Sequence, residues 1–332
     1  MIDKIDLLIP GSDNHFIIPG VRDLTTEFFN IKKYEPGQTY DVKKTLLVAN
    51  QYQYNCYTEI IKKLMDQGLR LVLDNLQEAE PYHDIMTTLT DFTVLHMIGS
   101  KYPTCVIPKK HKLVQVPMFF WIHEALAFVG TVGDNRNHPR IFNNADKIFL
   151  MLINSDREHR RNILEVFDPV LPYGLWSYRA RQKFLPNDVD HSLQGANRYN
   201  NPKWYDDTWC SVTVETMMNS ANRIFITEKT FKPIQMQHPF ILLGAPNSLG
   251  MLKKHGFLTY DNIFDESYDT INDQEKRIRS VYEQVSNIKI RKYDQETFNR
   301  IQYNRERFYN LSLIKERFFH DIVEPMLEFA HE

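Results

Sequence analysis

Glycine and cysteine are scarce in this chain of 332 residues, which has 12 glycines, 16 prolines and 3 cysteines. So little glycine and proline argues against a linker-rich or low-complexity chain. The cysteines, Cys56, Cys105 and Cys210, are too far apart for a zinc site or a disulfide framework, so we expect a reduced, intracellular setting. The sequence has no run of about 18 apolar residues and no apolar core of a signal peptide near its start. We therefore expect a cytoplasmic protein without a membrane partner.

An excess of charge of one sign is also lacking. Lys and Arg number 40 against 42 Asp and Glu, which gives a formal charge of -2. This balance removes any global electrostatic case for a polyanionic partner and leaves only local basic patches to consider. With 42% hydrophobic and 13% aromatic residues, the composition is that of a globular protein, and its length favours two domains.

Familiar catalytic and cofactor motifs are absent from the sequence. There is no GxGxxG, no GxxxxGK[ST], no HExxH and no GxSxG. A single DxD occurs at Asp188 and Asp190, in a polar stretch that reads more readily as a solvated loop than as a metal site. We therefore expect neither a metal nor a bound cofactor.

The order of apolar runs predicts an α/β fold. Buried strands are indicated at 5–9 and 45–49, and a helix over 56–67 with a strand at 69–73 completes a parallel βαβ unit. Further strands are expected at 92–98 and 114–122.

The pattern restarts after a polar stretch, which sets a domain boundary near residue 140 and gives domains of 1–140 and 141–332. The second domain should contain strands at 147–153, 211–214, 239–243 and 257–260, with helices between them and one or two closing helices at the chain end. Two such Rossmann-like domains would place a ligand cleft between them, at the carboxyl ends of their strands.

The first candidate site is the stretch NSDREHRRN, which follows a predicted buried strand. Arg157, His159, Arg160 and Arg161 crowd the start of a helix, where the helix dipole disfavours positive charge. Either an anion binds there, or the stretch is a solvated basic face with Arg157 and Arg161 directed outward.

The second candidate site is the stretch ITEKTFKPI. Thr227 is a plausible N-cap, Glu228 suits the first helical turn, and Lys229 and Lys232 add cations beside free backbone N–H groups. Such a helix start can cradle a diphosphate. Pro233 should interrupt this helix after about a turn and a half. The alternative is a short amphipathic helix with no ligand.

The stretches ITEKTFKPI, HPFILLGAPNSLGMLKKHGFLTY, FDESYD and WCSVTVET resemble the donor-binding half of GT-B glycosyltransferases. They are similar to the TEK region of α1,3-fucosyltransferases, and more so to bacteriophage-encoded glycosyltransferases, among them enzymes that modify DNA bases. The resemblance spans roughly residues 145 to 290. It implies a GT-B arrangement of the two domains, and location in the host cytoplasm if the chain is phage-encoded.

The resemblance also implies roles at the donor site. Glu228 would bind the donor ribose and Lys229 the diphosphate, while Arg157 or Arg160 would neutralise the leaving group without a metal. The donor-binding set is Arg157, His159, Arg160, Glu215, Thr227, Glu228, Lys229 and Thr230. After Glu215 the chain lacks the Glu-Asn-Ser run of the fucosyltransferases, which argues against GDP-fucose as the donor. The donor that we expect from the resemblance is a UDP-sugar.

The acceptor implied by the resemblance is the hydroxyl of a hydroxymethylated pyrimidine in DNA, 5-hydroxymethylcytosine above all, with glucose or arabinose as the transferred sugar. A group that takes the hydroxyl proton is then needed in the first domain. Two pairs are candidates: Asp13 with His15, and His123 with Glu124. For the second pair, a core histidine and a helix-start acid are the alternatives.

Two basic stretches could contact DNA. Lys109, Lys110 and Lys112 form one, and Arg179 and Arg181 follow two aromatic residues in the other. Solvated surface charge is the competing interpretation of both. Two other functions also remain open: a glycan or lipopolysaccharide glycosyltransferase, and a non-catalytic nucleotide- or DNA-binding protein of the same fold.

Overall fold

A computed structural model describes residues 4–10, 19–78, 80–127, 145–186, 201–218, 223–290 and 292–332. The chain divides into two compact units. The first comprises Met1–Ala127 together with Leu311–Glu332, and the second comprises Phe128–Asn310. No helix in the described ranges is long and apolar enough to cross a membrane.

The first unit is built on six parallel strands in the order β2-β1-β3-β4-β5-β6. Strands such as TLLVA are buried along their whole length, as expected for a parallel sheet covered on both faces. The strands are β1 (Ile5–Ile9), β2 (Phe29–Lys33), β3 (Thr45–Ala49), β4 (Arg70–Asn75), β5 (Val94–Ile98) and β6 (His111–Gln115).

Helices of the first unit connect these strands. Asn50 caps one of them through a capping box with Gln53, so a local signal sets where that helix begins. The helices before the second unit are α1 (Pro19–Phe28), α2 (Gln51–Cys56), α3 (Thr58–Asp66), α4 (His83–Thr88) and α5 (Phe119–Ala127).

The predicted strand at 114–122 is wrong in its second half. The strand β6 ends at Gln115, and the run FFWIHEALA forms the helix α5. Pro117 cannot donate a ladder hydrogen bond, so it separates the two elements. The helix α5 is apolar on all sides because it is buried. From sequence alone, a short apolar run of this kind cannot be assigned to a buried helix rather than to a buried strand.

In the residues that the structure describes, the second unit has a sheet of four parallel strands in the order β10-β9-β7-β8. They are β7 (Lys147–Ile153), β8 (Leu175–Tyr178), β9 (Thr208–Val214) and β10 (Phe240–Leu243). The strand predicted at 257–260 is absent: these residues are irregular in the structure, although Phe257 and Tyr260 are buried in the core.

Most helices of the second unit begin at polar caps. Thr227, Asp273 and Asp294 each accept a hydrogen bond from a backbone N–H of the first turn. The helix after Thr227 continues past Pro233 to Gln235, slightly beyond the predicted break. The helices are α6 (Glu158–Phe167), α7 (Pro202–Asp206), α8 (Glu228–Gln235), α9 (Ser248–Lys254), α10 (Gln274–Ser286) and α11 (Gln295–Phe308).

The end of the chain packs on the first unit, whereas the sequence analysis assigned all of 141–332 to the second domain. It forms α12 (Leu311–Phe318), a π-helical turn (Phe319–Val323) and α13 (Glu324–His331). The Phe28 and Phe319 rings lie 5.5 Å apart, and Lys315 forms an ion pair with Glu27. The last helices therefore complete the core of the unit in which the chain starts.

Candidate functional site

The second unit has a pocket at the carboxyl ends of its strands, which we call the strand-end pocket. Asn154 and Ser155 follow β7, Arg179 follows β8 and Thr216 follows β9, and all four line it. The start of α8 forms another wall through Glu228 and Lys229. This is the position at which open α/β sheets bind ligands.

Glu215 fixes the start of α8 against the end of β9. Its side chain is fully buried and accepts from the Thr227 N–H (3.0 Å), the Thr227 hydroxyl (2.6 Å), the Thr230 hydroxyl (2.6 Å) and the Thr216 N–H (3.2 Å). Four donors satisfy this carboxylate within the protein. Of the predicted donor-binding residues, Glu215, Thr227 and Thr230 thus form a network that holds the helix start in place.

Glu228 and Lys229 form an ion pair at the wall of the strand-end pocket. The Lys229 ammonium lies 2.7 Å from Glu228 Oε1 and also donates to the hydroxyls of Thr227 (3.1 Å) and Thr216 (3.3 Å). Burial would raise the pKa of Glu228, but the charges of Lys229 and Lys232 and the Lys229 hydrogen bond outweigh it and lower the pKa to about 2. Glu228 is therefore ionised at neutral pH.

This lowered pKa predicts how stability depends on pH. A carboxyl whose pKa is lower in the folded state stabilises the protein above its unfolded pKa, near 4.5, and this contribution is lost as pH falls towards 2. We expect the free energy of unfolding to fall more between about pH 5 and pH 3 in the unsubstituted protein than in Glu228→Gln. Urea unfolding at both pH values measures the difference. Glu306→Gln, at an exposed position of α11, should behave like the unsubstituted protein; equal losses in all three would contradict the prediction.

Of the three arginines in the stretch NSDREHRRN, Arg160 is the one that lines the strand-end pocket. Although only 2% exposed, it lines the pocket, and its guanidinium donates to the carbonyl (2.9 Å) and hydroxyl (2.6 Å) of Ser155. Its Nε is buried with no hydrogen-bond partner in the described part of the chain. Burial, and then the charge of Arg157, lower the pKa of Arg160. A buried cation with an unmet donor at a pocket wall is the arrangement expected where an anion binds.

Arg157 and His159 donate hydrogen bonds to backbone carbonyls just after the end of β9. Arg157 Nη1 donates to the Thr216 carbonyl (3.3 Å), and His159 Nε2 donates to the Glu215 carbonyl (3.3 Å). Burial and the two neighbouring arginines lower the pKa of His159 to about 4, so it is neutral near pH 7. Arg161 is exposed and forms an ion pair with Asp156, as the solvated-face interpretation predicts for this residue.

The basic stretch after β8 is divided between two environments. Arg179 lines the strand-end pocket together with Arg160, Lys229 and Lys232, and so lies among donor-side residues although it was predicted for the acceptor. Arg181 forms an ion pair with Asp156, at 3.5 Å.

The other basic stretch lies at the opposite edge of the first sheet from the strand carboxyl ends. Lys109 and Lys110 immediately precede β6, and Lys110 donates to the carbonyl of Asp91, which precedes β5 (2.8 Å). Lys112 forms an ion pair with Glu332. Because ligands of parallel sheets bind at the carboxyl edge, this position weakens the predicted role of all three lysines in acceptor binding.

The structure describes only one of the two predicted catalytic pairs. Asp13 and His15 lie outside the described residues, as do Asp188 and Asp190. His123 and Glu124 lie within α5, are 0% and 2% exposed, and hydrogen-bond to each other at 2.7 Å. His123 is thus buried in the core, in line with the alternative of a core histidine, whereas Glu124 is the sixth residue of α5 and not a helix-start acid.

A carboxylate that the sequence analysis did not select lies at the carboxyl end of β4. Asp74 lines an apolar cavity of the first unit, with Phe119 and His123 from α5 and Ile322 from the chain end. Its only hydrogen bond in the described chain comes from the Leu76 N–H (3.0 Å). Burial raises the pKa of Asp74 to about 6, and the Leu76 bond opposes this only in part. A carboxyl group with such a pKa can take up a proton near neutral pH.

Among the described residues, no three His, Cys, Asp or Glu side chains are grouped so that they could hold a metal ion. Positive charge in the strand-end pocket comes from four side chains of the described chain: Arg160, Arg179, Lys229 and Lys232.

Comparisons with known proteins give a structural likeness and no sequence match. No family model and no curated protein sequence matches the chain. An α1,3-fucosyltransferase structure aligns with a TM-score of 0.54 at 10% identity, covering 99% of this chain and 92% of that one. An α1,3-fucosyltransferase with GDP gives 0.48 at 10% identity (94% and 92% covered). A T4 phage BGT mutant in complex with UDP-glucose gives 0.46 at 9% identity (96% and 99% covered).

The first of these likenesses extends over nearly the whole chain and shows the fold. Two units, each built on a parallel sheet, and a helical C-terminus agree with it. The chain therefore has the GT-B fold predicted from its sequence, and it is similar in structure to an α1,3-fucosyltransferase.

Proposed function

We propose that this protein is a glycosyltransferase that moves a sugar from a nucleoside-diphosphate sugar, with a UDP-sugar favoured, to a hydroxyl acceptor. The observation that carries the proposal is the strand-end pocket. Arg160, Arg179, Lys229 and Lys232 line it at the ends of parallel strands and the start of a helix, against the single carboxylate of Glu228. A dianionic diphosphate is the ligand that this charge pattern favours.

The same cations would serve catalysis. When the sugar leaves the nucleotide, negative charge develops on the diphosphate, and fixed cations stabilise that charge without reorganising. Arg160 is held by Ser155, and Lys229 by two threonine hydroxyls and Glu228, so both are positioned before the donor binds. The reaction would then need no metal ion.

For the acceptor we propose a hydroxymethylated pyrimidine in DNA, 5-hydroxymethylcytosine in the first place, with glucose or arabinose as the sugar. The support is the sequence resemblance to phage DNA-modifying glycosyltransferases. The half-buried Trp176, with the Lys183 ammonium over its ring at 4.4 Å, and the exposed Arg181 nearby offer a basic and aromatic surface of the kind that contacts nucleic acid.

For the group that accepts the hydroxyl proton we propose Asp74 in place of His123 and Glu124. Asp74 has one carboxylate oxygen without a hydrogen bond in the described chain and lies at the carboxyl edge of its sheet. Glu124, by contrast, is committed to His123 inside α5.

Removal of the Lys229 ammonium tests the donor site. We expect Lys229→Ala to lose a charge-assisted bond of about 1.5–3 kcal/mol, and hence roughly tenfold or more in nucleotide affinity. Lys229→Arg should restore only part of it, because a planar guanidinium does not reproduce a compact ammonium. Calorimetric titration with UDP measures both.

Lys203 supplies the matched control, because it also pairs with a carboxylate, Asp207, but does not line the strand-end pocket. Lys203→Ala should bind UDP like the unsubstituted protein. Equal affinities for the unsubstituted protein and both Lys229 variants would refute the donor-site assignment.

Transfer assays then decide the acceptor. Labelled UDP-glucose and UDP-arabinose are offered with hydroxymethylated duplex DNA, unmodified duplex DNA and an oligosaccharide. Transfer only to the hydroxymethylated DNA supports the proposal. Transfer to the oligosaccharide alone indicates a glycan enzyme, and nucleotide binding without transfer or hydrolysis indicates a non-catalytic protein.

A further inference from the structure

The turn that follows β8 is tied to the loop that follows β7. The Ala180 N–H donates to the Asn154 carbonyl (2.9 Å), and the Tyr178 hydroxyl donates to the Asp156 carboxylate. Asn154 and Asp156 both lie in the loop between β7 and α6. The two bonds are made by the residues on either side of Arg179, which is therefore held between two fixed points.

The same turn is closed by its own backbone. Tyr178 and Lys183 exchange two hydrogen bonds, with N···O distances of 2.8 and 3.1 Å, and the Gln182 N–H donates to the Arg179 carbonyl (2.9 Å). Gln182 has a φ of 57°, in the left-handed region that lets so short a turn reverse its direction. A turn closed in this way has little freedom of its own, so its attachment at Tyr178 also sets the direction of Arg179.

Asp156 is a charged acceptor for the Tyr178 hydroxyl. Arg161 Nη1 lies 2.6 Å from one of its oxygens, and Arg181 Nη2 lies 3.5 Å from the other. The hydrogen bond from Tyr178, followed by the one from Arg161, keeps the pKa of Asp156 below its ordinary value, so the carboxylate is ionised at neutral pH. Hydrogen bonds to an ionised acceptor are about twice as strong as those between neutral groups.

Arg179 reaches the strand-end pocket from this turn, whereas Arg160 belongs to α6 and Lys229 and Lys232 belong to α8. A side chain on a turn is placed less precisely by its own element than a side chain on a helix or a strand. The position of Arg179 therefore depends on the bonds that tie the turn to its neighbour.

Resting on the proposed donor site, we propose that Asp156 and Tyr178 position Arg179 against the donor diphosphate. Neither residue lines the strand-end pocket, so each acts through Arg179 rather than on the nucleotide. A cation that is held in place before the ligand arrives loses less conformational freedom when the ligand binds. The hydrogen bond between Asp156 and Tyr178 should therefore strengthen the binding of a nucleoside diphosphate.

A direct effect of the Asp156 charge would act in the opposite direction. A carboxylate near a cationic pocket repels an anionic ligand, so its removal would by itself tighten the binding of UDP. If Asp156 positions Arg179, its removal weakens UDP binding instead. Tyr178→Phe removes only the hydroxyl and leaves every formal charge in place, so it isolates the positioning effect.

Calorimetric titration with UDP tests the proposal in a double-mutant cycle of Tyr178→Phe and Arg179→Ala. We expect Arg179→Ala to weaken UDP binding about tenfold, and Tyr178→Phe to weaken it about three- to tenfold. Added to Arg179→Ala, Tyr178→Phe should have no further effect, because the side chain that it positions is gone. A merely structural role of the hydroxyl would give the same loss with and without Arg179.

Variants of Asp156 give an independent measurement. Asp156→Ala should weaken UDP binding about three- to tenfold. Asp156→Asn should bind UDP more tightly than Asp156→Ala does, because its amide oxygen can still accept from the Tyr178 hydroxyl. The matched control is Tyr40→Phe in the first unit, which removes a hydroxyl that accepts from the Glu35 N–H (3.0 Å) and should leave UDP affinity unchanged.

Unchanged UDP affinity in Tyr178→Phe, or tighter binding by Asp156→Ala, would overturn the positioning role. An equal loss from Tyr178→Phe with and without Arg179 would overturn it as well. The donor site would survive these results if Lys229→Ala still weakened UDP binding. If the unsubstituted protein did not bind UDP, the proposed function would fail together with this inference. Should Tyr178→Phe not fold, as judged by thermal unfolding, the two Asp156 variants carry the same test.

Discussion

Asp74→Asn is expected to lower the rate of sugar transfer by about 10²–10⁴-fold while nucleotide affinity stays the same, because a general base contributes on this scale to the chemical step. The pKa of about 6 adds a pH signature. Transfer by the unsubstituted protein should rise with pH through about 6, as Asp74 loses its proton, and Asp74→Asn should lack this rise. Single-turnover transfer of a labelled sugar across this pH range measures both effects.

The asparagine can still accept from the Leu76 N–H, so loss of fold is not the expected cause of inactivity. Asp66→Asn, at an exposed position near the end of α3, is the matched control and should keep full activity. Asp74→Glu should recover part of the rate, since it restores a carboxylate. Full transfer by Asp74→Asn with an unchanged pH profile would exclude Asp74 as the base. The donor-site assignment would not be affected by that result.

The sequence analysis could not select Asp74, because its environment is made by distant parts of the chain. Locally, it is one more residue at the end of the apolar run LRLVL. Its burial depends on α5 and on Phe318, Ile322 and Met326, more than two hundred residues further on. The chain-end helices were predicted, but amphipathic periodicity does not say which unit a helix packs against.

Local signals did predict the start of α8. Thr227 is the N-cap, as its position before the helical pattern indicated, and Lys229 lines the strand-end pocket. For α6 the sequence analysis did not decide whether Arg157 or Arg160 would contact the leaving group. Helical spacing does indicate which of the two side chains is buried. Arg160 lies on the same face as Ile163 and Phe167, three and seven residues on, and all three are buried.

Glu215, which the resemblance places in the donor-binding set, has a structural role in the fold of the second unit. A residue that only bound the donor would affect binding alone, but within the described residues four protein donors also bond to this carboxylate. The sequence around Glu215 does not indicate this structural role. Its partners Thr227 and Thr230 lie twelve and fifteen residues further along the chain, at the start of α8.

Glu215→Ala is therefore expected to reduce the free energy of unfolding by about 2–4 kcal/mol, since it leaves the Thr227 N–H and two threonine hydroxyls buried without their acceptor. UDP affinity should fall as well, because the start of α8 and Lys229 lose their fixed position. Thr230→Val removes a single one of these bonds and should cost about 1–2 kcal/mol, which gives a graded series. Urea unfolding with parallel calorimetry measures both quantities.

The control is Glu165→Ala, which removes an exposed carboxylate of α6 and should change neither stability nor affinity by a measurable amount. A direct donor ligand behaves differently: its removal weakens UDP binding and leaves the unfolding free energy intact. If Glu215→Ala and Thr230→Val were both as stable as the unsubstituted protein while UDP affinity fell only in Glu215→Ala, the carboxylate would have to act on the donor itself. The helix start would then owe its position to the cap at Thr227 alone.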